Sequence, residues 1–328
     1  MGATRLTVAV ETFPIAGGFV ISRGAKTEAI LVVATLESDG FRGRGECVPY
    51  ARYGENAQSV LAEIEAVRQT IEAGIDNAAL QELMPPGAAR NALDCALWDL
   101  RAKQRAVPVH RLLGLPAPAT VVTAFTISLG SPEAMAQAAK AASFYPLLKL
   151  KLGGDGDAER LAAVRQSVPK AELIGDANEA WSPQNLVANL EACARHDVRL
   201  IEQPLPAGQD AVLAEIAHSI PICADESCHK AADVADLRGL YDAVNVKLDK
   251  TGGLTEALAT VAEAERLGFQ IMIGSMVGTS LGVAPALLLA GKARYVDLDG
   301  PLLLAADRAN GLRYDGARIY PPAPALWG

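Results

Sequence analysis

Short apolar runs that each stop at a charged residue recur from Leu147 onward, and they constrain the fold more than any other feature of this sequence. The charged residues at the ends of these runs are Lys151, Asp176, Glu202, Asp225, Lys247, Asp297 and Asp299. An apolar run of about four to six residues is typical of a strand buried on both faces, where a charge is costly unless it is paired or bound to a metal. A satisfied core group explains one such charge, whereas the recurrence predicts a single site built from many strand ends.

Strand-like and helix-like segments alternate between residues 121 and 299. Eight strand-like runs with helices between them favour a closed parallel barrel over an open doubly wound sheet. No G-x-G-x-x-G sequence follows an early strand, which argues against a dinucleotide-binding fold. Because the active site of such barrels lies at the carboxyl ends of the strands, we expect the recurrent charges to meet at one mouth.

The first 110 residues or so predict a separate α+β unit. A small meander of three strands, the last ending at Glu46, is expected to carry a glycine-rich loop over residues 16–26. Apolar residues at helical spacing predict helices over 57–73 and 87–104. Prolines at 116–118 indicate a linker to the barrel.

Composition narrows the class of partner. The formal net charge of -8 and the lack of Lys/Arg-rich runs argue against nucleic acid and against an anionic membrane surface. The sequence begins without the pattern of a signal peptide and holds no apolar stretch long enough to span a bilayer. Five cysteines, an odd number without zinc or redox spacing, indicate reduced thiols and a cytoplasmic location.

Asp176, Glu202 and Asp225 end three consecutive predicted strands. Neighbouring strands are about 4.8 Å apart, so three carboxylates there cannot all stay ionised without a compensating cation. Ligation by carboxylate oxygens suits Mg²⁺ better than zinc. The alternative is that each carboxylate caps a helix or pairs with a lysine, but its occurrence on three strands in succession favours a metal.

Lysines flank this trio. Lys149 and Lys151 are two residues apart on one strand and share a face, so their ammonium groups are expected to disfavour each other's charge and to lower the pKa of at least one of them. Lys247 ends the sixth strand, across the mouth, unless it simply pairs with Asp249; Lys250 is expected to lie beyond the strand. Two opposed lysines beside a metal-bound carboxylate suit removal and return of an α-proton, which inverts that carbon.

Two further groups are candidates for substrate binding. Asp297 and Asp299 share a face and suit a substrate ammonium, unless they form ion pairs with Arg294 or Lys292. Arg23, in the glycine-rich loop, suits a distal carboxylate through bidentate hydrogen bonds, unless it is merely solvated.

Together these residues resemble the muconate-lactonizing branch of the enolase superfamily over nearly the whole chain. The motifs are Lys149-Leu-Lys151, Gly-Asp176-Ala-Asn-Glu, Ile-Glu202-Gln-Pro, Ala-Asp225-Glu-Ser and Asn-Val-Lys247-Leu-Asp-Lys-Thr-Gly-Gly. The resemblance implies a (β/α)₇β TIM-like barrel over residues 116–303, an α+β capping domain over 1–115 and a C-terminal tail over 304–328 that packs on the cap. It also implies one Mg²⁺ per subunit on the carboxylate trio, with Lys151 and Lys247 as the opposed bases.

Within that branch, Asp297-Leu-Asp299 and the stretch Phe19-Val-Ile-Ser-Arg23-Gly resemble the L-Ala-D/L-Glu epimerases. The resemblance implies Mg²⁺-dependent epimerisation of L-Ala-D-Glu and L-Ala-L-Glu at the Glu α-carbon, in murein peptide metabolism. It implies that the two aspartates bind the dipeptide's amino terminus, that Arg23 binds the glutamate side chain, and that Lys149 also contacts substrate.

Other functions stay open at this point. An epimerase of other dipeptides would use the same residues. A cycloisomerase or an o-succinylbenzoate synthase would share the scaffold, but Asp297 and Asp299 count against it because its substrates carry no ammonium. A non-catalytic sugar- or peptide-binding barrel would leave the lysines and carboxylates without a task. The sequence also leaves open the loop conformation over the mouth and the oligomeric state, a homo-oligomer included.

Overall fold

A computed structural model describes residues 4–328, so residues 1–3 of the predicted capping domain lie outside the described part. The strands are β1 (Arg5–Ile21), β2 (Gly24–Ser38), β3 (Phe41–Cys47), β4 (Val121–Val122), β5 (Phe125–Ile127), β6 (Leu147–Lys151), β7 (Glu172–Asp176), β8 (Val198–Glu202), β9 (Ile222–Ala224), β10 (Ala243–Lys247), β11 (Gln270–Gly274), β12 (Tyr295–Asp297), β13 (Tyr314–Asp315) and β14 (Arg318–Ile319). The α-helices are α1 (Ala57–Glu72), α2 (Asn77–Leu83), α3 (Ala88–Arg105), α4 (Val109–Leu112), α5 (Pro132–Ala141), α6 (Asp157–Ser167), α7 (Leu186–Arg195), α8 (Leu248–Thr251), α9 (Leu254–Leu267), α10 (Ser280–Val283) and α11 (Gly300–Leu303). Short 3₁₀ helices cover Ala51–Tyr53, Ala211–Glu215, Ala231–Leu237, Ala284–Leu288 and Ala290–Lys292.

Strands β5 to β12 form one eight-stranded parallel sheet in chain order. The backbone N–H of Ala124 donates to the carbonyl oxygen of Val296 at 2.8 Å, which brings the last strand back to the first and closes the ring. A helical segment follows each of the first seven strands, so the predicted (β/α)₇β barrel is confirmed. The segments after β8 and β9 are 3₁₀ rather than α-helical, shorter than the helices predicted there.

The cap begins with an antiparallel sheet, β1-β2-β3, against which α3 packs. The predicted glycine-rich loop over 16–26 is wrong, because strand pairing resumes at Phe19 opposite Lys26 and runs to Ile21 opposite Gly24. Gly17 and Gly18 have positive φ and shift the register within the ladder instead of opening a loop. The result is one long hairpin whose turn holds Ser22 and Arg23.

This hairpin crosses the barrel mouth, the end of the barrel where β5 to β12 have their carboxyl termini. Ile15 bridges to Leu304, just after α11. Nearer the tip, the backbone N–H of Leu129, in the loop after β5, donates to the carbonyl oxygen of Val20 at 3.0 Å. The tip continues from there toward the loops that follow β7 and β9.

The chain's last residues return to both domains. The hairpin β13-β14 pairs with β4, so β4 and β5 belong to different sheets although they are adjacent in the chain, and only β5 joins the barrel. At the far end, the indole N–H of Trp327 donates to the carbonyl oxygen of Cys95 on α3 at 3.0 Å. The domain boundaries at 115 and 303 stay predictions.

Within residues 4–328, no helix is both apolar and long enough to cross a bilayer. The five cysteines are all buried and unpaired. The core fills two main regions: one surrounds the barrel strands, and the other lies between the cap sheet and α1, α2 and α3.

We expect Gly45→Ala to destabilise the cap. A Cβ at Gly45 on β3 would lie 2.1 Å from the carbonyl oxygen of Ala92, within the backbone of α3, which cannot move cheaply. Overpacking of this kind costs about 2 kcal/mol in free energy of unfolding, so the thermal midpoint should fall by several degrees. The matched control is Gly291→Ala, whose Cβ meets nothing within 4 Å; equal midpoints for the two variants would contradict the prediction.

Candidate active site

The predicted strand-end charges do meet at the barrel mouth. Lys151, Asp176, Glu202 and Lys247 are the last residues of β6, β7, β8 and β10, and Asp225 follows β9 directly. The parallel register places Lys151 beside Asp176 and Asp176 beside Glu202. All five side chains are buried, so the sheet itself holds them side by side.

Close ion pairs join the lysines to the carboxylates. The Nζ of Lys151 lies 2.6 Å from Asp176 Oδ2, and the Nζ of Lys247 lies 2.6 Å from Asp225 Oδ2 and 3.5 Å from Glu202 Oε1. Lys149 lies deeper, with its Nζ 2.6 Å from Glu202 Oε2 and 3.1 Å from Asp176 Oδ2. Each buried charge therefore has a partner of opposite sign, which burial makes obligatory.

These pairs set the pKa directions. Burial lowers the pKa of Lys149, but the charges of Asp297, Glu202 and Asp176 outweigh it, so the pKa lies well above its usual value. The lowered pKa predicted for at least one lysine of this pair is thus not found at Lys149, because three carboxylates surround its ammonium. Burial also lowers the pKa of Lys247, but the charges of Asp225 and Glu202 outweigh this effect and raise that pKa above its usual value.

The carboxylates also differ from one another. Burial raises the pKa of Asp225, but Lys247 and Lys250 outweigh it and hold that pKa well below its usual range. Burial and the neighbouring charge of Asp176 raise the pKa of Glu202. The three acids are therefore not equivalent, although they are adjacent on one sheet.

The carboxylate trio suits a hard cation by its chemistry. Its ligand atoms are all carboxylate oxygens, which Mg²⁺ prefers. Two of them, Glu202 Oε2 and Asp225 Oδ1, are buried without a well-directed hydrogen bond, although lysine ammonium groups lie within 2.7 Å. Among residues 4–328 no three acidic, histidine or cysteine side chains are already arranged to coordinate a metal ion. In this structure lysine ammonium groups contact the carboxylates instead.

Lys250 belongs to this site and was not expected there. The residue lies on α8, is completely buried, and places its Nζ 2.7 Å from Asp225 Oδ1. The same Nζ donates to the carbonyl oxygens of Asp225 at 2.5 Å and Asn245 at 2.8 Å. The spacing of three from Lys247 was the available signal, since one helical turn beginning at the strand end brings both lysines to one carboxylate.

Asp297 and Asp299 line the same mouth at the junction of β12 and β5. Asp297 ends β12 and lies 2.7 Å from Lys149 Nζ. Asp299 lies beyond the strand, just before α11, and accepts the backbone N–H of Thr126 at 2.7 Å. Burial and the charge of Asp297 raise the pKa of Asp299 to about 7.

The alternative ion pairs proposed for these two acids do not form. Lys292 Nζ lies 2.9 Å from Glu265, and Arg294 lies 3.7 Å from Glu172. The acid pair at the junction of β12 and β5 is therefore left to face the cavity, with Lys149 the cation nearest to it.

Arg23 lies at the hairpin tip, over the loops that follow β7 and β9. Its guanidinium is 3.1 Å from Glu179 and 2.8 Å from Glu226, and it donates to the hydroxyl of Tyr50 at 2.9 Å. Glu226, the residue after Asp225, reaches the cap through this pair. Asn178 has φ 44° and donates its backbone N–H to Asp176 Oδ1 at 2.9 Å.

A cavity of about 940 Å³ joins these groups. Lys149, Lys151, Asp225 and Lys247 form its floor, and the hairpin with the loop around Tyr50 forms its roof. The barrel alone does not enclose the site.

Family comparison agrees with this geometry. Residues 3–114 match the family described as mandelate racemase / muconate lactonizing enzyme, N-terminal domain, and residues 133–312 match enolase C-terminal domain-like proteins. The chain belongs to the enolase superfamily. The resemblance seen in the sequence motifs is thereby confirmed.

Two curated relatives within this superfamily are named for different substrates. The L-Ala-D/L-Glu epimerase of Escherichia coli (strain K12) is 46% identical over 312 residues, which are 94% of this chain and 97% of that protein. The N-acetyl-D-glutamate racemase of a Pseudoalteromonas species is 44% identical over 300 residues, which are 91% of this chain and 95% of that protein. Both names describe inversion at a carbon of glutamate or of a dipeptide.

Solved structures of superfamily members show the same architecture. An enolase family member from Agrobacterium tumefaciens, with homology to dipeptide epimerases and with bound sodium and L-Ala-L-Glu, is 53% identical with a TM-score of 0.97, covering 99% of this chain and 100% of its own. A dipeptide epimerase from Cytophaga hutchinsonii, complexed with Mg and D-Ala-L-Val, is 26% identical with a TM-score of 0.92, covering 98% of this chain and 94% of its own. Each of these two proteins holds a dipeptide together with a cation.

The alternative pairing of Lys247 with Asp249 does not form. The Oδ1 of Asp249 accepts the backbone N–H of Val48 at 2.9 Å and the side-chain amide of Asn91 at 2.8 Å, and both donors belong to the cap side. Burial raises the pKa of Asp249 to about 7. This carboxyl is thus part of the interface between cap and barrel.

We expect Asp249→Asn to change how stability depends on pH. A carboxyl whose folded pKa is raised above its unfolded value near 3.8 stabilises the fold at low pH and loses that contribution as pH rises toward 7. The amide keeps an acceptor for Val48 and does not titrate. Denaturation between pH 4 and pH 8 should therefore show the variant gaining stability relative to the parent as pH rises; a constant difference would contradict the raised pKa.

Proposed function

We propose that this protein is an Mg²⁺-dependent epimerase of L-Ala-D-Glu and L-Ala-L-Glu that acts at the Glu α-carbon by two-base 1,1-proton transfer. The observation that carries the proposal is the placement of Lys151 on the second barrel strand and Lys247 on the sixth. In a ring of eight strands these positions are opposite each other. A carbon held between them is reached by an amine from either face.

Asp176, Glu202 and Asp225 would hold the Mg²⁺ between the two lysines, one ion per subunit. When bound, the ion would supply positive charge that stabilises negative charge developing on a carboxylate as its α-carbon loses a proton. Lys250 contacts Oδ1 of Asp225, and the side-chain amide of Asn245 donates to Oε1 of Glu202 at 2.7 Å. Neighbouring side chains therefore fix the orientation of both carboxylates.

The chain's own residues carry the proton. The neutral Nζ of one lysine takes the α-proton, and the ammonium of the lysine on the opposite face returns one, so the configuration inverts. Lys149 lies two residues before Lys151 on β6, on the same face of the strand. It stays a cation among three carboxylates and supplies positive charge for the substrate carboxylate.

The two ends of the cavity suit the two ends of the dipeptide. Asp297 and Asp299 give an acidic end at β12 and β5 for the amino terminus of the alanine. Arg23 lies across the mouth, over the loops after β7 and β9, and gives positive charge for the glutamate side chain. The proposed function includes a role in murein peptide metabolism. It also includes a cytoplasmic location, which the five unpaired cysteines support.

A second candidate is racemisation of an N-acylated glutamate, because one relative carries that name at nearly the same identity. Such a substrate has no ammonium. The buried pair of Asp297 and Asp299, at 5% exposure each, would then face a neutral acyl group. The acid pair favours the free dipeptide.

Lys151→Ala and Lys247→Ala should each abolish epimerisation of L-Ala-L-Glu, because inversion needs a base on one face and an acid on the other. Incorporation of deuterium at the Glu α-carbon in D₂O, followed by NMR and mass spectrometry, measures the reaction. Lys140→Met, which removes an exposed lysine on α5, is the control and should keep full activity. Full epimerase activity of Lys247→Ala would refute the two-base assignment.

The wild-type enzyme should prefer L-Ala-L-Glu to N-acetyl-L-glutamate in kcat/KM by about a hundredfold, since a hydrogen bond to a charged group contributes about 1.5–3 kcal/mol. Asp299→Asn, which keeps the acceptor for Thr126 but removes the charge, should raise KM for the dipeptide and leave KM for the N-acetyl compound unchanged. Steady-state kinetics with both substrates tests this. A preference for N-acetylglutamate would favour the second candidate.

A further inference from the structure

Arg90, on the cap helix α3, is a buried arginine that donates to backbone carbonyl oxygens. Its Nη2 donates to Thr251 at 2.7 Å and its Nε donates to Gly252 at 3.2 Å. Its Nη1 donates to Gln81 at 3.3 Å and to Met84 at 3.0 Å. Thr251 is the last residue of α8 and Gly252 follows it, so a side chain of the cap holds the carboxyl end of a barrel helix.

Helix α8 is the single turn that begins at the proposed base Lys247. Lys247 is both the last residue of β10 and the N-cap of α8, so no loop separates the strand from the helix. Within that turn, Lys250 places its Nζ 2.7 Å from Asp225 Oδ1. A shift of α8 therefore changes both the backbone from which Lys247 projects and the contact between Lys250 and Asp225.

Further residues on the same face of α3 contact the segment after α8. Asp94 accepts the backbone N–H of Thr255 at 3.0 Å and its hydroxyl at 2.6 Å, and the indole N–H of Trp98 donates to that hydroxyl at 2.9 Å. Arg90, Asp94 and Trp98 are spaced by four residues, which places them on one face of a helix. Thr255 lies in the first turn of α9, whose N-cap, Gly253, has no side chain. One face of α3 thus fixes both helices that follow Lys247.

Two glycines allow α3 to approach this segment closely. Gly252 has φ 75° and Gly253 has φ 114°. A Cβ on Gly252 would lie 2.5 Å from Arg90 Nε, and a Cβ on Gly253 would lie 2.5 Å from Asp94 Cβ. Both the backbone conformation and the close contact therefore require glycine.

The backbone after the opposed base, Lys151, is held by the barrel instead. The backbone N–H groups of Gly153 and Gly154 donate to the carboxylate of Asp157, at the start of α6, at 3.0 and 2.7 Å. Asp157 is buried and belongs to the barrel. The two bases therefore differ, because α3 of the cap fixes the segment after Lys247 and a barrel helix fixes the segment after Lys151.

We propose that Arg90 is a positioning residue for Lys247: it holds the carboxyl end of α8 and thereby sets where the Lys247 amine meets the α-carbon of the substrate. This assignment rests on the proposed two-base epimerase function. It gives the cap a part in one of the two proton transfers, in addition to covering the mouth.

Loss of the α-proton to D₂O, measured by NMR as an initial rate on each epimer separately with Mg²⁺ present, tests the proposal. The α-protons of L-Ala-L-Glu and L-Ala-D-Glu point to opposite lysines, so Lys247→Ala and Lys151→Ala identify the epimer that depends on Lys247. Arg90→Gln should slow proton loss from that epimer about ten- to a hundredfold, as expected when a base is misplaced by about 1 Å. Proton loss from the other epimer should be little changed, but it should lead to retention more often than in the wild type.

Two further variants make the test specific. Arg90→Lys keeps the charge but loses the planar fork of donors, so it should show the same selectivity between epimers with a smaller effect. Arg165→Gln is the matched control, because Arg165 also donates to backbone carbonyl oxygens, those of Ala171 at 2.7 Å and His196 at 2.9 Å. These residues precede β7 and β8, at the end of the barrel away from the mouth. Arg165→Gln should leave the ratio of the two rates at the wild-type value.

The proposal is overturned if Arg90→Gln slows proton loss from both epimers by the same factor, as a general loss of folding, metal or substrate binding would do. It is also overturned if both rates stay unchanged. If Arg90→Gln does not fold, the ratio of rates in Arg90→Lys decides in the same way. Failure of the proposed function looks different, since the wild-type enzyme would then release the α-proton of neither epimer, or Lys247→Ala and Lys151→Ala would slow the same epimer.

Discussion

The pairing of lysines with carboxylates at the ends of β6 to β10 is the interaction on which the rest of the site depends. Lys151, Asp176, Glu202, Asp225 and Lys247 are all buried, so their charges have little exposure to bulk water. A buried ion whose partner is removed remains uncompensated, which costs more than an exposed pair contributes. The parallel sheet solves this problem by register, because adjacent strand ends place opposite charges within contact distance without long flexible loops.

Enclosure of the site depends on the cap, which is held to the barrel by buried polar contacts away from the lysines. Glu46 on β3 accepts the backbone N–H of Thr279 at 2.8 Å and pairs with Arg308 at 2.8 Å. Arg308 also lies 2.6 Å from Glu11 on β1. One arginine in the tail therefore fixes the root of the hairpin relative to the loop after β11, and the tip of the same hairpin is fixed by Arg23.

The sequence predicts the barrel and its central charges well because both follow from burial. A strand buried on both faces needs an apolar run, and a charge that ends the run must lie at the mouth. This rule does not predict the position of Lys250, because α8 begins directly after β10 and places the Lys250 side chain against Asp225. The rule does not predict the hairpin either. Gly17 and Gly18 indicate a turn when only local sequence is considered, whereas pairing between β1 and β2, a non-local contact, determines the structure.

In the proposed function, catalysis and substrate selection would be carried by different parts of the chain. The residues that would move the proton end strands of the barrel, where one altered charge disturbs every neighbour. The residues that would recognise the two ends of a ligand lie at the rim: Asp299 beyond the end of β12, and Arg23 at the tip of the cap hairpin. Substitution at the rim leaves the central ion pairs intact, so the same reaction can be directed to different glutamate derivatives. Two relatives of nearly equal identity to this chain have names with different substrates, and a change of charge at the rim is one physical route to such a difference.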